Sequence, residues 1–98
     1  MTKQEAVEIL FRNKILISDF HVDALYLFGS VVRGEAGPES DVDILVEFNQ
    51  DARVGLFELA RLRMFLSEIL GCSVDLVTQD ALHPLLKDEI MGELVRAA

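Results

Sequence analysis

The sequence has few of the features of secreted, membrane-spanning or nucleic-acid-binding proteins. Its single cysteine, Cys72, excludes an intrachain disulfide. Only 9 Lys and Arg residues stand against 17 Asp and Glu, for a formal net charge of −8, whereas binding to long DNA or RNA relies on basic side chains. There is no recognisable signal peptide and no apolar run long enough to span a bilayer. We therefore expect a cytoplasmic protein that binds neither membranes nor long nucleic acid.

The sequence does have enough apolar residues for one core. Hydrophobic residues make up 51% of the 98 positions, and no repeat or linker divides them, so residues 1–98 are expected to form a single domain. Apolar periodicity and short apolar runs predict the helices and strands. The predicted helices cover about 2–17, 30–33 and 55–70, with a last one from Pro84 that carries Leu94 and Val95 on its apolar side; the predicted strands cover 24–28, 41–48 and 73–78. This order predicts an α/β or α+β fold, in which helices flank a small mixed sheet of three or four strands.

Two short motifs lie between the first and second predicted strands. Gly29 allows close backbone approach and Ser30 starts a helical turn, a combination that can cradle a phosphate. Asp41 and Asp43 are two residues apart on one strand, so their side chains point to the same face. Mg²⁺ is usually held by one or two carboxylates together with substrate phosphates. Taken singly, each motif is more often an ordinary turn or a solvated strand start.

A third acidic residue lies inside the third predicted strand. Asp75 stands between Val74 and Leu76, so its side chain points to the opposite face from theirs. A carboxylate is costly to bury unless it is paired or bound to a metal. Asp75 therefore either belongs to a functional site or faces water from an edge strand, and the residues alone leave both possibilities open.

Together, these motifs resemble the nucleotidyltransferase superfamily. In the run LFGSVVRGEAGPESDVDILVEF, ten residues separate the Gly-Ser pair from Asp-Val-Asp, and this spacing in a strand–turn–strand context is specific. The segment LGCSVDLVT supplies the later strand with one acid. The chain looks like the minimal, MNT-type branch, whose members are often encoded beside a HEPN-domain partner. The resemblance covers nearly the whole chain and implies the polymerase-beta-like palm fold.

The resemblance implies a role for each site residue. The Gly-Ser pair, Gly29 and Ser30, would hold the triphosphate of a nucleotide, with ATP as the expected substrate. The catalytic acids Asp41 and Asp43 would bind Mg²⁺, expected as two ions, and Asp75 would assist the metal or take a proton from the attacking hydroxyl. An arginine just after the turn could reach a phosphate oxygen or could simply be solvated. That residue, Arg33, completes the predicted nucleotide site.

The resemblance also implies an acceptor. It suggests an antitoxin that transfers AMP from ATP to a hydroxyl, expected on a tyrosine, of a HEPN-domain toxin. Two alternatives stay open: an antitoxin that inhibits its partner by binding alone, and a transferase acting on a small hydroxyl compound such as an aminoglycoside. The long helix around Phe57 and Met64 carries more apolar surface than one stripe needs, so it is either core or a protein interface.

Overall fold

The computed structural model describes residues 1–35, 37 and 40–98. The predicted loop over 34–40 includes Ala36, Pro38 and Glu39, which lie outside the described residues. Within the described ranges, no helix is both long and apolar enough to cross a membrane. The elements in chain order are α1 (Lys3–Arg12), α2 (Lys14–Ser18), β1 (Val22–Phe28), α3 (Ser30–Arg33), β2 (Val42–Phe48), α4 (Leu56–Leu70), β3 (Val74–Thr78), a 3₁₀ turn (Gln79–Ala81), α5 (Pro84–Glu93) and β4 (Val95–Arg96).

The four strands form one mixed sheet in the order β3-β2-β1-β4, which confirms the predicted class. Strand β1 is antiparallel to β2 and β4, and β2 is parallel to β3. The register pairs Phe28 with Asp43 and Asp43 with Asp75. The end of β1 therefore meets the beginnings of β2 and β3 at one end of the sheet.

One face of the sheet and the long helices form the core. Helix α4 contributes Leu62, Leu66 and Leu70, spaced by four residues, as one buried stripe. It ends at Gly71, whose φ of +71° is the left-handed conformation typical of a helix C-terminus. Packed together in the core are Leu25, Leu27, Val42, Ile44, Val46, Val74 and Leu76 of the sheet with Ala6 and Leu10 of α1. The site face of the sheet is thus supported from behind by a closely packed layer.

The first helix is not continuous. The predicted helix over 2–17 is divided at Asn13, which separates α1 from α2. The Asn13 side chain donates a 2.8 Å hydrogen bond to the backbone oxygen of Ile9. A short amide side chain competes in this way for the carbonyl groups that a continuing helix needs, and this explains the break.

The prediction for the end of the last helix is wrong. Helix α5 stops at Glu93, Leu94 has an extended backbone, and Val95 pairs with Leu27 of β1. An edge strand offers unpaired backbone groups, and β4 satisfies them. None of the described side chains of α5 is buried. Leu86, which was predicted to lie on its apolar side, is 52% exposed.

Candidate active site

The turn after β1 requires a glycine for two reasons. Gly29 has φ +75° and ψ −150°, a conformation that residues with a side chain rarely adopt. A Cβ atom built on Gly29 would also overlap a carboxylate oxygen of Asp43 and lie 3.1 Å from its Cγ. The backbone N–H groups of Val32 and Arg33 bond the Gly29 carbonyl at 3.1 and 3.2 Å. The turn is therefore packed directly against the first residues of β2, with Ser30 opening α3.

The three predicted acids occupy neighbouring positions at this end of the sheet. Asp41 is exposed immediately before β2, and Asp43 is partly buried within it. Asp75 lies in register beside Asp43 on the parallel strand β3. Burial raises the pKa of the Asp43 carboxyl, and the negative charges of Asp75 and Asp41 raise it further. The group is thus a concentration of negative charge that a cation would relieve.

The surroundings of Asp75 are compatible with both expectations, and its role stays a prediction. Strand β3 lies at the edge of the sheet and the side chain is exposed, as an ordinary surface residue would be. The same side chain nevertheless lies beside Asp43 and contributes to the charge around it. Its neighbours Val74 and Leu76 are buried on the other face, in agreement with the predicted alternation.

The three carboxylates do not form a finished metal site by themselves. In the part of the chain that the structure describes, no three His, Cys, Asp or Glu side chains converge closely enough to hold an ion. Mg²⁺ takes oxygen ligands and commonly keeps waters or substrate phosphates in addition to one or two carboxylates. The donors are all oxygen atoms and the negative charge is crowded. Both features fit a magnesium ion that is bound jointly by these carboxylates and by the phosphates of a nucleotide.

Arg33 lies at the margin of this group. Its side chain is 46% exposed and pairs with Glu93 at 3.2 Å and with Glu35 at 3.4 Å. Its positive charge also acts on Asp43, whose pKa it lowers against the larger effects of burial and of the acids. The structure thus brings a guanidinium to the turn and the acids, and its contact with a phosphate stays a prediction.

Sequence reasoning missed Glu93. Its carboxylate accepts a 2.8 Å hydrogen bond from the backbone N–H of Gly29 as well as the pairing from Arg33. Extending the β1–β4 register by two residues beyond Leu27 and Val95 puts Glu93 opposite Gly29. Glu93 could have been identified only from a correct prediction of strand β4, but residues 94–95 were predicted to be part of the last helix.

Comparison with known proteins agrees with this arrangement. A model of the nucleotidyltransferase domain family matches residues 12–97. A relative from Methanocaldococcus jannaschii, provisionally named a protein adenylyltransferase, is 40% identical over 96 residues, covering 96% of each chain. A solved structure provisionally described as a minimal nucleotidyltransferase is 31% identical, with a TM-score of 0.72 over 97% of this chain and 95% of that one.

A solved toxin–antitoxin complex has the same fold in one of its chains. It contains a tri-AMPylated HEPN toxin from Shewanella oneidensis bound to an MNT antitoxin. The match has a TM-score of 0.65 and 20% identity, and it covers 94% of this chain and 71% of that one. At this level of identity the likeness shows a shared fold alone.

Proposed function

The chain belongs to the nucleotidyltransferase domain family, and we propose that it is a Mg²⁺-dependent antitoxin that transfers AMP from ATP to a hydroxyl of a HEPN-domain toxin. The acceptor we expect is a tyrosine. The observation that carries the proposal is the packing of the Gly29 turn against Asp43, itself in register with Asp75. A turn able to approach phosphates thus lies directly beside a pair of carboxylates.

The family resemblance suggests a role for each residue, and we include these roles in the proposal. The turn of Gly29 and Ser30 would bind the triphosphate, and Asp41 and Asp43 would hold the metal with help from Asp75. When bound, Mg²⁺ supplies positive charge that offsets the phosphates and the developing charge of the reaction. Asp75 is the exposed acid on the edge strand, so it is accessible to an incoming acceptor.

The reaction that these groups support is an in-line displacement. The acceptor oxygen forms a bond to the α-phosphorus, and the bond from that phosphorus to the bridging oxygen of pyrophosphate breaks. The hydroxyl proton passes to a carboxylate, for which Asp75 is the candidate. Most of the catalytic effect would come from positioning and charge stabilisation rather than from covalent participation of the protein.

Two kinds of evidence support a protein acceptor. The Methanocaldococcus jannaschii relative carries the provisional name of a protein adenylyltransferase, and the Shewanella oneidensis complex pairs an AMPylated toxin with a chain of this fold. The surface also suits a protein partner, because Leu56 and Phe57 at the start of α4 are each 84% exposed. Apolar side chains so exposed favour the interface alternative for this part of α4.

The test is the intact mass of a co-expressed HEPN-domain neighbour protein after incubation with this chain, ATP and Mg²⁺. We expect mass increments equal to AMP, and their loss with an Asp43→Asn chain, because that change removes a metal-binding charge without altering side-chain size. An unchanged toxin mass in a stable, inhibited complex would contradict the proposal and favour inhibition by binding alone. Transfer of AMP to an aminoglycoside but not to the toxin would instead favour the small-molecule alternative.

A further inference from the structure

Two separate contacts hold the Glu93 side chain at the nucleotide turn. One oxygen accepts the Gly29 N–H at 2.8 Å, and the two oxygens lie 3.3 and 3.2 Å from one terminal nitrogen of Arg33. The Glu93 side chain is only 21% exposed. A charge-assisted hydrogen bond in a partly buried position is among the stronger polar contacts in proteins, so this carboxylate restrains both the turn and the arginine.

The place of Glu93 in its own helix does not favour a carboxylate. Glu93 is the last residue of α5, where the helix dipole disfavours a negative charge. It also adds to the negative charge around Asp43. Sequences usually depart from local preferences of this kind where function requires it. The compensation comes from the Gly29 N–H and the Arg33 guanidinium, which are parts of the proposed nucleotide site.

Strand β4 fixes the position of Glu93. Residues Val95 and Arg96 pair with Leu27 and Tyr26, and Ala97 donates a 2.9 Å hydrogen bond to the Leu25 carbonyl. The chain therefore enters β4 with Glu93 already opposite the end of β1. The contact with Gly29 joins the C-terminal segment to a turn more than sixty residues earlier in the chain.

We propose that Glu93 is a positioning residue of the nucleotide site, which fixes the backbone of the Gly29 turn and holds Arg33 beside it. This inference rests on the proposed function, since the site it serves is the nucleotide site. It assigns to Glu93 no contact with substrate. Because Glu93 accepts a hydrogen bond from the Gly29 N–H, the turn keeps its positive-φ conformation before the nucleotide binds. Nucleotide binding then has no entropic cost of ordering the turn.

The experiment compares binding of AMP-PNP with Mg²⁺, by titration calorimetry, to the full chain and three variants. Glu93→Ala removes both contacts, and we expect about a tenfold or greater loss of affinity, as for loss of a hydrogen bond to a charged group. Glu93→Gln keeps an oxygen for the Gly29 N–H but loses the ion pair with Arg33, so its loss should be smaller. Glu89→Ala changes an exposed glutamate one turn earlier and should bind as the wild type does.

A second readout separates positioning from general stability. Amide hydrogen exchange at Gly29 in the nucleotide-free chain should be faster in Glu93→Ala and close to wild type in Glu93→Gln. Where transfer activity is measurable, KM for ATP should rise more than kcat falls. If the wild-type chain binds AMP-PNP but transfers no AMP, the proposed transfer reaction is wrong. The effect of Glu93 on nucleotide binding can still be measured in that case.

Several results would overturn the inference. Unchanged or tighter nucleotide binding by Glu93→Ala would show that Glu93 does not prepare the site. Equal losses in the Ala and Gln variants would show that the Gly29 contact is not what matters. If Glu93→Ala does not fold, wild-type affinity in Glu93→Gln would overturn the part of the role that concerns Arg33, and fast amide exchange at Gly29 in that variant would overturn the part that concerns the turn.

Discussion

Gly29 combines two separate requirements in one residue. Its positive φ excludes most side chains, and the adjacent Asp43 carboxylate leaves no room for a Cβ. Gly34 also has a positive φ, of +73°, but among the described residues no heavy atom beyond its chain neighbours lies within 4 Å of its hypothetical Cβ. The two glycines also differ in ψ, which is −150° at Gly29 and 21° at Gly34, so a side chain at Gly34 meets a milder conformational constraint and no steric one.

We predict that Gly29→Ala loses nucleotide binding and is less stable than Gly34→Ala. An alanine in the left-handed helical region of Gly34 costs about 1–2 kcal/mol, whereas the positive-φ extended region of Gly29 is essentially restricted to glycine and costs about 1–3 kcal/mol. Only Gly29→Ala must also displace Asp43, so its extra destabilisation should be about 1–3 kcal/mol, as for an overpacked site. Urea denaturation and AMP-PNP titration measure the two effects. Equal stability of the two variants would show that the turn and β2 can move apart freely.

Among the elements, β4 has an importance out of proportion to its length. It consists of Val95–Arg96 alone, yet it covers the edge of β1 and fixes the position of Glu93 in front of the Gly29 turn. Ala97, just beyond it, is 4% exposed and donates its N–H to the Leu25 carbonyl. Helical periodicity did not predict this strand, because pairing with a distant edge outweighed the local preference of 94–95.

Removal of the Ala97 N–H should therefore affect both stability and the distant site. We predict that Ala97→Pro lowers the free energy of unfolding by about 1 kcal/mol, since the Leu25 carbonyl loses the shorter of its two hydrogen bonds and keeps only the one from the Ala98 N–H at 3.4 Å. It should also weaken AMP-PNP binding, because Glu93 loses its anchored position. The matched variant Ala97→Gly keeps the N–H and should retain most of both properties. Calorimetric melting and nucleotide titration check this, and equal effects of Pro and Gly would contradict it.

At the scale of the whole molecule, charge limits what the site can bind unaided. The chain has a net charge of −8, and four of its acids, Asp41, Asp43, Asp75 and Glu93, lie at or around the proposed phosphate turn. A triphosphate approaching this surface meets a repulsive potential, which a divalent cation or added salt would reduce. The molecule thus differs from proteins that bind phosphates through basic patches, and its affinity for nucleotides should depend on a metal.

We predict that EDTA weakens AMP-PNP binding by about tenfold or more at low ionic strength, given surface potentials of several kT. The loss should shrink at high salt, where the repulsion is screened. Adenosine, which carries no phosphate, serves as the control, and any binding of it should be insensitive to EDTA. Equal affinity for AMP-PNP with and without divalent cation would contradict a metal-dependent site.

The sequence by itself determined the parts that are local. The fold class, three of the four strands and the stop of α4 at Gly71 follow from apolar patterns and turn chemistry. The candidate residues Gly29, Ser30, Asp41 and Asp43 could be identified because they lie within fifteen positions, at a spacing that one strand–turn–strand unit sets. Chemistry carried on a single short unit is readable before the chain is folded, although the roles of these residues stay predictions.

Only the tertiary structure decided the long-range relations. Strand order and register place Asp75 beside Asp43, on an edge strand where it is also exposed. Pairing of β4 with β1 brings Glu93 to Gly29 and Arg33. Contacts of this kind depend on which backbone edges are left to be satisfied once the rest of the sheet has formed. Local sequence patterns do not encode these pairings, so the turn and the acids can be predicted from the sequence whereas the carboxylate that holds the turn cannot.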